Sequence, residues 1–200
     1  MEIVIASHNS HKVQELRSCL KEIAPKLQVL SLFDFPAYKP ALTQDDLFEE
    51  NAKAKALHAA LALQKTCLAD DSGIVVPALA KVGAQFTRRY QHAEQSARIQ
   101  TKKLLEEMSA FSGLERQAYL ECSLAVATPK GVVKIANQRS EGIIADAEKG
   151  KITFEFDTLF IKHDYSKTLG ELAPSVRSRI SHRRKALEKL LSAILSLSRS

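Results

Sequence analysis

Two adjacent carboxylates, Asp70 and Asp71, followed by Ser72 and Gly73, stand between the apolar runs Cys67-Leu68-Ala69 and Ile74-Val75-Val76. Neighbouring ionised carboxylates repel each other and resist burial unless a cation or a shared proton compensates, so the pair points to a metal site or an acid/base site. A solvated turn uses the same residue types and is the alternative. A second polar cluster, Ser7-His8-Asn9-Ser10-His11-Lys12, separates the apolar Ile3-Val4-Ile5-Ala6 from a segment carrying Val13, Leu16, Leu20 and Ile23 at helical spacing. Strand, polar turn and helix in that order bring backbone N–H groups and the positive helix end towards an anion, with Ser7, Asn9 and Lys12 adding donors. The glycines of a Walker loop are absent, and an ordinary turn with Ser10 as the helix cap is the competing reading. Phe48, Asn51 and Lys55, at spacings of three and four, share one face of a further helix and form either a polar wall for a ligand or a surface face. His182 and Arg183 fall in the first turn of a last helix capped by Ser181, facing a ligand or solvent.

The elements that must position these groups alternate between strand and helix. A first strand covers Ile3-Val4-Ile5-Ala6, and a helix follows until Pro25 stops it. A second strand is expected at residues 27–32, and Pro36 and Pro40 make the next stretch irregular. A long helix starts near Asp45 or Asp46, where Asp46 and Glu49 have the spacing of a capping box, and runs to about Gln64. After the Asp70-Asp71 stretch, a helix is expected from about Ala93 to Met108. Strands follow at residues 119–128 and 131–138, joined by a Thr-Pro-Lys-Gly turn. Ile143-Ile144 and residues 153–160 read as further strand, the latter alternating Phe154, Phe156 and Thr158 on one face. The helix after Ser181 buries Ala186, Leu187, Leu190, Leu191, Ile194 and Leu195.

The 200 residues allow one domain or two closely packed lobes. A formal charge of +6 favours an anionic partner, with Arg177, Arg179, Arg183, Arg184 and Lys185 as the densest basic cluster, read as a solvated basic face. Three widely spaced cysteines exclude a disulfide framework and a Cys-x-x-Cys metal site, and fit a reducing cytoplasm. No apolar run approaches membrane-spanning length, and no signal peptide is expected.

Six motifs in series carry a resemblance. The order Ser7-x-Asn9-x-x-Lys12, Phe48-x-Glu50-Asn51-Ala52-x-x-Lys55-Ala56, Ala69-Asp70-Asp71-Ser72-Gly73, Thr87-x-Arg89-Tyr90, Phe154-x-Phe156-Asp157 and Ser181-His182-Arg183 resembles the inosine triphosphate/xanthosine triphosphate pyrophosphatases over nearly the whole chain. The resemblance implies an α/β fold with an elongated central mixed sheet flanked by helices, a single domain of two lobes with the nucleotide cleft between them, and a homodimer. It implies Mg²⁺-dependent hydrolysis of non-canonical purine nucleoside triphosphates to the monophosphate and pyrophosphate. Residues 7–12 (Ser7, His8, Asn9, Ser10, His11 and Lys12) would hold the phosphates. Asp71 would bind metal or activate water, with Asp70 as a second metal-side acid, and Ser72 would contact substrate. Phe154 would stack on the base, and Asp157, His182 and Arg183 would read its edge. Asn51, Lys55, Arg89, Glu155, Phe156 and Arg177 complete the implied substrate-binding set. No nucleic-acid polymer and no membrane is expected as a partner.

The chain departs from the family pattern in places. A Gly-Phe-Gly-Tyr-Asp-Pro segment is replaced by Thr153-Phe154-Glu155-Phe156-Asp157-Thr158, Arg177 stands for a Lys, and Arg88 replaces a small residue. A family acid aligns near Thr43, leaving Asp45, Asp46 or Glu50 as substitutes. Alternatives are therefore a nucleotide-binding protein with reduced catalysis, a pyrophosphatase of different base preference, and a basic nucleic-acid-binding module.

Overall fold

The β-branched run at the start of the chain forms β1 (Glu2–Ile5), with Ile3, Val4 and Ile5 inaccessible to solvent. A strand buried on both faces needs hydrogen-bonded neighbours and a cover on each side. In the computed structural model, which describes residues 2–43, 47–80, 97–152, 154 and 156–197, both are present. β1 pairs in parallel with β2 (Gln28–Ser31), Glu2 opposite Gln28 and Ile5 opposite Ser31, and in parallel with β3 (Cys67–Val75), Val4 opposite Cys67. Parallel neighbours require crossover connections. Helix α1 (Ser10–Ile23) links β1 to β2, and α2 (Phe48–Leu63) precedes β3. With β4 (Gln117–Thr128), β5 (Gly131–Ile144) and β6 (Phe160–Lys162), the strands form one six-stranded sheet in the order β2-β1-β3-β4-β5-β6. β5 and β6 are antiparallel, so the sheet is mixed and the fold α/β. Among the described residues the remaining α-helices are α3 (Pro77–Ala80), α4 (Ala97–Glu107), α5 (Pro174–Ile180) and α6 (His182–Ser196).

The chain divides into two compact units. One comprises Met1–Ser72, Cys122–Gln138 and Ile180–Ser200; the other comprises Gly73–Glu121 and Arg139–Arg179. In the first, strand alternation sorts β1 between two cores. Ile3 and Ile5 pack with Leu16 and Leu20 of α1, Leu68, and Leu187, Leu190 and Ile194 of α6. Val4 packs with Ala52, Ala56, Ala59 and Ala60 of α2, together with Cys67 and Ala69. The alanines on the buried face of α2 let its backbone approach the sheet closely. In the second unit, buried Arg116 donates from Nε to Ile144 O at 2.8 Å, from Nη1 to Met108 O at 2.8 Å and from Nη2 to Ala145 O at 2.6 Å. One guanidinium thus satisfies carbonyls just past the C-terminus of α4 and at the end of β5.

Several expectations are corrected. Asn9, not Ser10, caps α1, because its Oδ1 accepts from the backbone N–H groups of His11 and Lys12. β2 ends at Ser31, where Leu32–Asp34 turn into a 3₁₀ helix with the Asp34 carboxylate accepting from Ser31 N. β5 runs uninterrupted to Ile144 instead of ending at residue 138. Within 153–160 the described residues are turns up to Leu159, not a strand: Asp157 N donates to Phe154 O and Phe160 N to Phe156 O, local bonds that compete with a ladder. Strand resumes only at Phe160. α2 begins at Phe48, while Asp45 and Asp46, and with them the expected capping box, lie outside the described residues, as do residues 93–96 of the expected helix before Met108.

β5 and β6 meet at a glycine for a steric reason. A Cβ on Gly142 would lie 2.2 Å from Ile161 O and 2.6 Å from Phe160 Cζ. Gly142→Ala is therefore expected to cost about 1–3 kcal/mol of stability, read from urea denaturation.

Candidate active site

β3 continues through the paired carboxylates instead of turning at them, and every residue from Cys67 to Ile74 is buried. Successive side chains of a strand point to opposite faces. Asp70 and Ser72 accordingly share the face of Leu68, towards α1 and α6, and Asp71 shares that of Ala69, towards α2. The pair therefore does not converge on one shared cation, as adjacency in sequence led one to expect. Each carboxylate has its own partners.

On the α1/α6 face the Asp70 side chain is fully excluded from solvent, with Oδ2 2.5 Å from Lys12 Nζ and 3.6 Å from Arg183 Nε. Ser72 Oγ donates to the same oxygen at 2.9 Å and accepts from Arg183 Nη2 at 2.6 Å. Burial alone would push the Asp70 carboxyl up. The Lys12 ammonium and the Arg183 guanidinium overcome it and hold the group well below the usual carboxylate range. Among the described residues, Asp70 Oδ1 is buried without a hydrogen-bond partner. Neighbouring His182 is buried too, and desolvation, reinforced by the Arg183 charge, lowers its pKa well below that of a free histidine, so it is neutral at pH 7.

On the α2 face, Asp71 Oδ1 accepts from Lys55 Nζ at 2.6 Å and Oδ2 from Asn51 Nδ2 at 2.9 Å. The helical spacing of Asn51 and Lys55 puts both donors over one carboxylate. Its side chain is 4 % exposed and that of Lys55 26 %, so the pair is held at the edge of the core.

The turn at residues 7–12 is bonded internally. Asn9 N donates to Ser7 Oγ at 3.1 Å, and the His11 and Lys12 N–H groups go to Asn9, so they are already engaged by the cap. His8, Asn9, Ser10 and His11 are exposed, and the His8 ring packs edge-on against Phe33. Arg177 and Asp157 belong to the other unit and face each other at 3.6 Å; Phe156 there is buried and Phe154 half-buried. Arg89 and Glu155 lie outside the described residues. The basic cluster is a solvated face only in part: Arg179 and Lys185 are exposed, whereas Arg183 is buried and Arg184 donates from Nη1 and Nη2 to the two oxygens of Glu22, each at 2.7 Å.

Sequence reasoning passed over Glu15. It accepts from the Ser181 hydroxyl and, at 3.2 Å, from Arg183 Nη1. Its position three residues after Lys12 on α1 was the available signal. The cysteines offer no nucleophile, since burial pushes the Cys19 and Cys67 thiols up to about 11 and about 12.

The oxygen chemistry around Asp71 fits Mg²⁺, a hard ion that keeps several waters and needs only one or two carboxylates when substrate phosphates supply the rest. Among the described residues no group of three or more His, Cys, Asp or Glu is placed to hold a metal. Asp70 already faces two cations, Lys12 and Arg183, and Asp71 one, Lys55. Glu50, one substitute for the family acid, pairs with Lys53 at 2.8 Å.

A Ham1 family model matches residues 3–193. The chain is 43% identical over 191 residues to the dITP/XTP pyrophosphatase of Protochlamydia amoebophila, covering 95% of this chain and 96% of that one. It is 39% identical to the enzyme of that name from Chlamydia caviae, covering 95% and 92%. Among solved structures it resembles the Staphylococcus aureus Ham1 protein, with TM-score 0.80, 33% identity and coverage of 99% and 100%. A HAM1 protein from Coxiella burnetii superposes with TM-score 0.82 at 31% identity, covering 98% and 99%.

Two outcomes follow from the buried charges. Lys12→Met leaves Asp70 with Arg183 as its counter-charge among the described residues and should destabilise the protein by about 3 kcal/mol in equilibrium unfolding. His182 has a folded pKa below its unfolded value of about 6.5, so the unfolded chain binds the extra proton below that pH. Its contribution to stability is intact above pH 6.5 and is lost as the pH falls, at up to about 1.4 kcal/mol per pH unit. His182→Gln should flatten the stability profile between about pH 6.5 and 5.

Proposed function

The chain belongs to the Ham1 family, and on that premise we propose that it hydrolyses non-canonical purine nucleoside triphosphates, dITP and XTP with ITP, to the monophosphate and pyrophosphate. The observation that carries the reading is Asp71, a nearly buried carboxylate whose two oxygens are fixed by Lys55 and Asn51, in a chain that matches named dITP/XTP pyrophosphatases along 95% of its length.

In this reaction a water oxygen forms a bond to the α-phosphorus, the bond from that phosphorus to the α–β bridging oxygen breaks, and pyrophosphate departs. Asp71 is the group we assign to the attacking water: it orients the molecule and takes its proton. Fixing both carboxylate oxygens on the scaffold pre-pays the ordering that a mobile side chain would need at the moment of attack. Mg²⁺, when bound, would supply charge neutralisation at the phosphate oxygens, with Asp71 as the carboxylate that would hold it. The exposed His8, Asn9, Ser10 and His11 present polar side chains to the phosphates, and the Lys12 charge lies behind them, held by Asp70. His182 and Arg183 are assigned to the base. Arg183 already donates to Ser72 and Glu15, so the selective contact would fall to an N–H that these do not engage or to the His182 ring; a donor aimed at a 6-oxo group would be left unpaired by the 6-amino group of adenine, a strong basis for rejection in a dry pocket.

A cytoplasmic homodimer acting on free nucleotides, not on nucleic-acid polymers, completes the proposal. Three free, buried cysteines suit a reducing compartment, and among the described residues no helix is long and apolar enough to cross a membrane.

Pyrophosphate release should be faster, by kcat/KM, from ITP, dITP and XTP than from ATP and GTP. Equal cleavage of ITP and ATP would remove the selectivity claim, and no cleavage of any of them the enzymatic one. Asp71→Asn should lower kcat by about 10²–10⁴-fold, and chelation of divalent cations should abolish turnover until Mg²⁺ is restored.

A further inference from the structure

The strand order β2-β1-β3 reverses direction at β1: the chain passes from β1 to β2 on one side and then crosses to β3 on the other. In open α/β sheets, ligands bind beyond the carboxyl ends of the strands at such a reversal. Ile5 lies opposite Ser31 of β2 and Leu68 of β3, so the residues just past that level come out at one edge of the sheet. They are His8 after β1, Phe33 after β2, and Asp70 and Asp71 in β3. Asp71 stands on the β3 side of this edge and Phe33 on the β2 side, with the turn at residues 7–12 between them.

The turn spends most of its main-chain donors on itself. Ser7 N donates to Ile5 O, Asn9 N to Ser7 Oγ, His11 N and Lys12 N to Asn9 Oδ1, and Val13 N to Asn9 O. The Lys12 ammonium faces Asp70. An anion at the turn must therefore be met largely by side chains, and exposed His8 can donate a ring N–H in either tautomer. Its ring meets that of Phe33 edge-on, with centroids 5.9 Å apart and planes at 87°. A lone exposed phenylalanine is ordinary, and Phe33 is 55% exposed. Its support, however, is fixed: Leu32 is buried, the Asp34 carboxylate accepts from Ser31 N at 2.8 Å, and Phe35 N donates to Leu32 O at 3.0 Å. A ring on a rigid 3₁₀ turn thus props an imidazole that nothing else printed by its own turn would hold in place.

We infer that Phe33 is a positioning residue for His8, and that His8 donates to the outer phosphates of the substrate, the half that leaves as pyrophosphate. The inference rests on the pyrophosphatase reading above, which puts the α-phosphorus at Asp71; from there the strand order carries the rest of the phosphate chain past β1 towards β2. Ordering the donor ring beforehand lowers the cost of binding that half and leaves the chemical step at Asp71 untouched.

The test combines steady-state ITP hydrolysis with calorimetric binding of inorganic pyrophosphate and of inosine monophosphate, in Mg²⁺ buffer, with thermal melting of each variant. Phe33→Leu should raise KM for ITP about three- to tenfold with kcat little changed, weaken pyrophosphate by a similar factor, and leave the monophosphate as in the wild type. Phe33→Tyr, which keeps the ring, should recover most of the affinity. In a His8→Ala background, Phe33→Leu should have no further effect, because it acts through His8. Wild-type pyrophosphate affinity in folded Phe33→Leu overturns the inference, as does equal weakening of both ligands or an undiminished effect in the His8→Ala background. If Phe33→Leu does not fold, His8→Ala alone must weaken pyrophosphate and spare the monophosphate, and wild-type affinity there is the refutation. A wild type that cleaves ITP while the variants match it sinks only the role of Phe33 and His8. A wild type that binds pyrophosphate through the Phe33–His8 pair but cleaves no nucleotide sinks the pyrophosphatase reading and keeps the pair, and one that does neither sinks both.

Discussion

A carboxylate with no access to solvent, Asp70, is held ionised by Lys12 from α1 and Arg183 from α6. Burying one charge is costly, and burying three is tolerable only when each faces an opposite charge or a hydrogen-bond partner. That condition ties three elements distant in sequence to one geometry: α1 and α6 cannot shift along β3 without stranding a charge. Ser72 and Glu15 complete the requirement by giving the guanidinium further acceptors, so the polar cluster specifies one arrangement where a purely apolar contact would accept several.

Strand alternation determines what the second carboxylate is for. Because Asp71 leaves β3 on the face opposite Asp70, it escapes the Lys12–Arg183 cluster and meets α2, where an amide and an ammonium one turn apart engage one oxygen each. The division is chemical as well as spatial. Asp70 is committed to counter-ions inside the core, whereas Asp71 stands at the core edge beside a partly exposed lysine. The alanine face of α2 contributes by bringing that helix close enough to the sheet for an Asn and a Lys to reach the strand.

The local devices around the site follow the same economy. Asn9 caps α1 with its side chain and thereby stiffens the turn whose exposed side chains face outward. Ser181 caps α6 and passes its proton to Glu15, so one hydroxyl both ends a helix and joins a network. Neutral His182, kept so by burial beside a guanidinium, offers a hydrogen-bonding ring without adding a further positive charge to a core that already holds two.

Much of this was legible in the order of residues. The apolar run at residues 3–6, the helical spacing of Val13, Leu16 and Leu20, the Asn51–Lys55 face and the cap at Ser181 are local patterns, and local patterns report helices, strands and shared faces directly. The series of motifs carried the family and the mixed α/β sheet. The stretch at residues 153–160 misled because its alternating aromatics have the period of a strand, while the bonds made there are turn bonds to neighbours three and four residues away. The sequence by itself thus determined which groups are present and which elements carry them, because propensity and periodicity act between near neighbours. Only the tertiary structure decided that Asp70 and Asp71 part company, that Lys12 and Arg183 share one carboxylate, and that Glu15 belongs to the site, because each of those facts depends on which faces of α1, α2 and α6 the sheet brings together.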